Sequence, residues 1–147
     1  NSYFHRAMCT QDYSAVTAAC LMTKKCVFEQ IGGFTEELAV AFNDIDLCMK
    51  IRSLGKLVVY NPYALLYHYE SKSRGLEDTP EKVARFNREV AIFAKRWPEI
   101  LRDGDPYYNP NLTLRKSNFA LRDLKKEKIG EPLQLDGEIK RLMDESE

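Results

Sequence analysis

The chain has no surplus of charge: 22 Lys and Arg stand against 22 Asp and Glu in 147 residues. The two signs are interleaved along its length, so no block forms the cationic patch that a phosphate backbone requires, and nucleic-acid binding is excluded on charge. No apolar run approaches the ~18 residues of a membrane helix, and no basic-then-apolar leader opens the sequence. Cysteines are few: the four, at positions 9, 20, 26 and 48, contain no C-x-x-C pair. Cys20 and Cys48 lie in apolar runs, which predicts buried free thiols and a cytoplasmic setting rather than a disulfide framework. The phosphate-cradling patterns G-x-x-x-x-G-K-[ST] and G-x-G-x-x-G are missing, as are internal repeats and low-complexity tracts. The chain starts at Asn1, not Met, so a processed or excised piece of a longer polypeptide is expected.

What is present is a globular composition, 44% apolar and 30% charged, of a length suited to about one domain. Residues 1–14 read as polar and irregular. The small, partly β-branched run from Ser14 to Thr23 predicts a buried strand, and Lys24 to Ile31 a helix with Val27, Phe28 and Ile31 on one face. Gly32-Gly33 supplies the left-handed closure. Asn43 is a fitting N-cap for a second helix over 44–54, stopped by Gly55. LVVY at 57–60 predicts a strand, YALLYHY at 63–69 another, and 70–80 a polar loop. Thr79 and Pro80 open a long amphipathic helix to Trp97, carrying Val83, Phe86, Val90, Phe93 and Trp97, with Pro98 as its stop. A turn-rich loop covers 103–111, and a short helix is expected over 136–145. Strands alternating with helices indicate an α/β fold with few strands.

Three constellations bear on chemistry. Asp44 falls in the first turn of its predicted helix, where unpaired N–H groups favour a negative charge; it suits either helix stability or a general base held by a stiff element. Asp46, two residues on, points elsewhere around the helix. His68 lies where a strand runs out into a loop, as a packing histidine or as one ligand of a divalent ion. Ser71-Lys72-Ser73-Arg74-Gly75 combines cations and hydroxyls that suit a diphosphate, or else forms a solvated loop. Tyr107 and Tyr108 fit stacking on a sugar or simple packing, Asn111-Leu112-Thr113 is a short glycosylation triplet, and no hydrolase triad is discernible.

In order, these pieces resemble the C-terminal half of family-two glycosyltransferases of the GT-A fold. The matching string runs from Val16 to Gly75: a small-residue stretch, a helix ending in Gly-Gly-Phe, the N-D-x-D-L helix start, a strand, Pro, then H-x-x-S and Arg-Gly. The later helix with Trp97 and the DPYYNPN loop are similar to the subgroup that builds bacterial surface polysaccharides, rhamnosyltransferase-like enzymes included. The resemblance implies the C-terminal half of a nucleotide-diphospho-sugar transferase fold: a few-stranded mixed sheet with packed helices over 1–75, the acceptor and base side, followed by a helical appendix, loop and tail over 76–147. It implies an inverting transfer of a sugar from a nucleotide diphosphate to an acceptor hydroxyl. Carried over by motif, Asp44 is the base and His68 completes a site for Mg²⁺ or Mn²⁺. Arg74 and Ser71 meet the donor diphosphate. Gly32, Gly33, Phe34 and Asn43 line the acceptor side, and Thr17 and Ala18 lie beneath the donor sugar.

Two departures accompany the resemblance. Asn43 stands where many relatives have Glu, and Ala18 where Gly is frequent. The N-terminal half of the fold, with its metal-binding D-x-D, is absent from this sequence, so the fragment is expected to be inactive alone and to need that half as a partner. Polysaccharide synthesis would place the protein in the cytoplasm or at the periphery of the inner membrane. The competing reading is a non-catalytic carbohydrate-binding module, or a self-associating one whose sheet edge pairs with another copy.

Overall fold

The computed structural model describes residues 3–67, 79–116, 118–127 and 136–144. The expected helices form where local signals are strongest. Helix α1 (Lys25–Gln30) is closed by Gly32 and Gly33 at φ 75° and 67°. Helix α2 (Asn43–Ser53) buries Asp46, Leu47, Cys48, Met49 and Ile51. Thr79 caps α3 (Pro80–Arg96) by accepting the Lys82 N–H at 3.4 Å. Pro98 both ends α3 and opens α4 (Pro98–Asp103). A residue before proline is pushed away from the helical region, and Trp97 sits accordingly at φ −128°, ψ 57°. The terminal helix α5 (Gly137–Asp144) lies along α3, where Asn87 donates to Glu138 at 3.1 Å.

The α/β character holds, as helices with a small sheet, but the sheet differs from expectation. Among the described residues it is two antiparallel strands rather than a mixed sheet: β1 (Gln11–Tyr13) pairs with β2 (Val58–Tyr60), Asp12 opposite Val59. β1 falls in the stretch read as irregular. Its three residues are too short for a periodic signal, and contacts from elsewhere hold it. The Tyr13 and Tyr60 rings meet edge to face at 5.9 Å, Arg6 lies 5.0 Å over the Tyr13 ring, and Tyr60 Oη donates to the Ala7 carbonyl.

The predicted strand over 14–23 is instead an extended segment broken by a 3-10 turn at Ala18–Cys20. Thr17 Oγ accepts the Ala19 N–H at 3.3 Å, the local side-chain bond by which threonine competes with a strand ladder. Cys20, expected buried, is exposed, whereas Cys48 is fully buried. Residues 63–67 form no strand and are exposed; the remainder of that predicted strand, 68 and 69, lies outside the described residues.

The core joins α1, α2 and β2: Val27, Leu47, Cys48, Ile51 and Val58, with Ala15, Val16, Leu21, Phe28 and Ile31 packed around them. Leu47 and Ile51 stand one turn apart on α2 and face it together. Each such side chain contributes about 1.5–3 kcal/mol when fully buried. The turn-rich loop after α4 closes over β1. Buried Ser14 donates to Asp105 at 2.6 Å, and Arg6 donates to the Tyr107 carbonyl at 3.3 Å. Beyond it, Leu112 bridges Leu121, and Thr113 Oγ donates to the Glu127 carboxylate at 2.8 Å.

Candidate functional site

Asp44 occupies the first turn of α2 and is half-buried. Its Oδ1 accepts the N–H of Ile45 at 2.9 Å, satisfying one of the helix's free donors. Its Oδ2 reaches across to the 3-10 turn and accepts the Ala18 N–H at 3.1 Å. One turn further along the same face, the Cys48 thiol contacts the Val16 carbonyl at 3.8 Å. Burial pushes that thiol above its usual pKa, which keeps it a proton donor. Spacing of four residues puts Asp44 and Cys48 on one row, so a single face of α2 grips the segment 16–18 at two points. The structure therefore brings together Asp44, Thr17 and Ala18, and leaves Thr17 and Ala18 exposed.

Asn43 is not the N-cap. That position falls to Phe42, in the left-handed region at φ 62°, and Asn43 is the first helical residue, half-buried. Gly32 and Gly33 reverse the chain after α1. A side chain at Gly33 would meet the Phe28 ring at 3.1 Å, besides being strained by its φ of +67°. Phe34 lies edge to face on Phe28 at 5.6 Å and remains half exposed. This loop is tied to Asp46 and Lys50 rather than to Asp44: Lys50 Nζ donates to the Gly33 carbonyl at 3.0 Å, and Thr35 Oγ to Asp46 at 2.6 Å.

Asp46 is the residue whose role the sequence did not disclose. Its side chain has no exposed surface, yet it accepts hydrogen bonds from Thr35 at 2.6 Å, Trp97 Nε1 at 2.9 Å and Arg96 Nε at 3.0 Å, and pairs with the Lys50 ammonium at 3.3 Å. Burial by itself would raise its pKa, but the hydrogen bonds of Thr35, Trp97 and Arg96, with the charge of Lys50, hold the carboxyl below its ordinary value. Lys50 was legible four residues on; Arg96 and Trp97 lie fifty residues away, and only their adjacency at a helix end hints at a shared partner.

His68, Ser71 and Arg74 lie outside the described residues. Among the described residues no three His, Cys, Asp or Glu side chains gather as metal ligands. Asp44 accepts one backbone N–H on each oxygen, and Asp46 is enclosed by three hydrogen bonds and the Lys50 charge. The described residues thus do not by themselves fit a divalent ion. Tyr107 and Tyr108 serve packing: Arg52 lies 5.4 Å over the Tyr107 ring, and Tyr108 packs on Phe119 and donates to the Thr113 carbonyl. No described helix is long and apolar enough to cross a membrane.

No family model matches the chain, and no solved structure matches it. Curated proteins do. It is 55% identical over 120 residues, 81% of its length, to the uncharacterized protein y4gI of Sinorhizobium fredii. It is 36% identical over 113 residues to the O-antigen biosynthesis protein RfbC of Myxococcus xanthus. Over 78 residues it is 31% identical to an N-acetylglucosaminyl-diphospho-decaprenol L-rhamnosyltransferase of Mycobacterium tuberculosis. The chain spans 13%, 8% and 25% of these relatives, respectively. What it shares with the two relatives whose names state a role is thus a short stretch of proteins named for O-antigen biosynthesis and for rhamnosyl transfer.

Proposed function

We propose that this chain is the acceptor and base side of a glycosyltransferase of the GT-A fold. In this reading it acts in polysaccharide synthesis as part of a longer, cytoplasmic polypeptide that supplies the nucleotide-binding half. The observation that carries the reading is the placement of Asp44. Its carboxylate sits at the start of a rigid, core-packed helix and spans to the backbone of an exposed small-residue turn, and the relatives' names support the class.

A sugar hydroxyl is a poor nucleophile, and a carboxylate within hydrogen-bond reach takes its proton as the new C–O bond forms. In this role Asp44 exchanges its Ala18 contact for the acceptor hydroxyl and inverts the sugar by a single displacement. The exposed backbone of Thr17 and Ala18 forms the floor beneath the donor sugar. Gly32, Gly33, Phe34 and Asn43 border the acceptor. Ser71 and Arg74 belong with the leaving diphosphate. Mg²⁺ or Mn²⁺, held in part by His68, would supply neutralising charge there, and no step assigned to Asp44 runs through it.

The test follows nucleoside diphosphate release by the full-length polypeptide from sugar esters of uridine, guanosine and thymidine diphosphate, with Mn²⁺. Wild type is compared with Asp44→Asn and His68→Ala. Activity lost in Asp44→Asn with donor binding retained is the expected result; full activity in that variant reduces Asp44 to a helix-stabilising carboxylate.

A second reading, self-association, draws on one observation. Leu57, Val59, Tyr63, Leu65, Leu66 and Tyr67, in and flanking β2, are all exposed, and the outer edge of a two-stranded sheet pairs readily. A mass in solution that rises with concentration supports it. A monomer at all concentrations removes it.

A further inference from the structure

The first turn of α2 is held from the side away from Ala18 by one helix. The Phe42 ring stacks on Phe93 at 5.2 Å and lies against Phe86 at 5.6 Å. Its left-handed φ of 62° is one that a bulky residue keeps only where its surroundings hold it. The buried Glu89 carboxylate accepts the Ala41 N–H. Asp46 then receives Arg96 and Trp97 from the end of α3, while its own N–H donates to the Phe42 carbonyl at 2.8 Å. Three successive points, at 41, 42 and 46, thus bracket Asp44 from behind. Among the described residues, Asp44 itself has one tether beyond its own helix, the N–H of an exposed turn. The direction of its carboxylate follows the direction of the turn that carries it.

We propose that Asp46 is the positioning residue for Asp44: by engaging Arg96 and Trp97 it locks the first turn of α2 onto α3 and so fixes the Asp44 carboxylate at the Ala18 backbone. The inference rests on the reading of Asp44 as the base, and it gives α3 a part in the reaction through Asp46. Asp46 does not exchange a proton with substrate. Both of its oxygens are engaged, Oδ1 by Arg96 and Trp97 and Oδ2 by Thr35 and Lys50, and its side chain has no exposed surface.

The test uses the full-length polypeptide and two readouts. Turnover is followed with the same three classes of sugar nucleotide, and hydrogen exchange is measured in the peptide that contains the Ala18 amide. Asp46→Asn and Trp97→Phe are each expected to lower kcat at least tenfold with KM for the donor changed less than twofold. Both should speed exchange at Ala18 toward the rate in Asp44→Asn, while the Thr113 amide, bonded to the Ala120 carbonyl at 2.9 Å, keeps its protection. If Asp46→Asn does not fold, Trp97→Phe decides, since it leaves the carboxylate Thr35, Arg96 and Lys50. A silent Asp44→Asn together with wild-type kcat and wild-type Ala18 exchange in Trp97→Phe overturns the proposal. If Asp44→Asn keeps its turnover, the base reading fails, and Ala18 exchange alone then decides whether Asp46 places Asp44. Unchanged exchange in both variants refutes it there too.

Discussion

Asp44 and Asp46 stand two residues apart on α2, and the molecule treats them oppositely. Asp44 faces an exposed turn through one long-range hydrogen bond, whereas Asp46 is sealed from water by Thr35, by Lys50 of its own helix and by Arg96 and Trp97 at the end of α3. A helix advances about 100° per residue, so a spacing of two sends neighbouring carboxylates to nearly opposite faces. One D-x-D pattern can therefore serve chemistry on one side and architecture on the other. Asp44 is left with few partners and room to take a new one; Asp46 has none to spare.

The sharpest test of that contrast is Asp44→Asn. Turnover of the full-length polypeptide should fall by roughly 10²–10⁴-fold, the usual contribution of a general base, while the midpoint of chemical denaturation stays near wild type. A large loss of stability in this variant would erase the distinction between the two carboxylates. Asp46→Ala should lose stability as well as turnover, costing about 3–5 kcal/mol in denaturant, because Arg96, Trp97, Lys50 and Thr35 lose their shared partner.

Acid separates the pair further. The Asp46 carboxyl is held below its ordinary value in the folded state. Its contribution is therefore fully present above the unfolded value of about 4 and disappears as pH falls through the lower folded value. Wild-type stability should decline through that acidic window, and Asp46→Asn should flatten the decline. Smaller still is Gly33→Ala, expected to cost about 1–3 kcal/mol for its left-handed backbone and its contact with Phe28. The mildest is Thr79→Ala, which removes the α3 cap for about 1 kcal/mol; a larger effect would mean that the α3 start also supports the clamp at its far end.

The same contrast explains what could be read in the residues. Helices α2, α3 and α5 were legible because caps, prolines, glycines and apolar rows are local signals. The α3 start is an instance: Thr79, Pro80 and the Lys82 amide lie within four positions. The run 14–23 was misread because small apolar residues suit a strand and a short turn equally, and only the grip of Asp44 and Cys48 decides between them. At the site, Asp44 was identifiable from its place in a helix start, and its union with Thr17 and Ala18 followed the resemblance. Asp46 was visible as a residue but not as a hub, since two of its donors come from the far end of another helix. Burial of a charge is a property of the assembled molecule and leaves no mark on the residue that is buried.

Trp97 is the chain's one tryptophan, and its indole N–H rests on the buried carboxylate. The protein consequently carries an optical gauge at the junction of α2 and α3, needing no label. Acid, denaturant or a bound sugar nucleotide that loosens this junction changes the surroundings of a single fluorophore and shifts its emission. Loosening confined to the hairpin of Leu112 and Leu121 leaves that emission unmoved, so a fluorescence titration reads the clamp and little else.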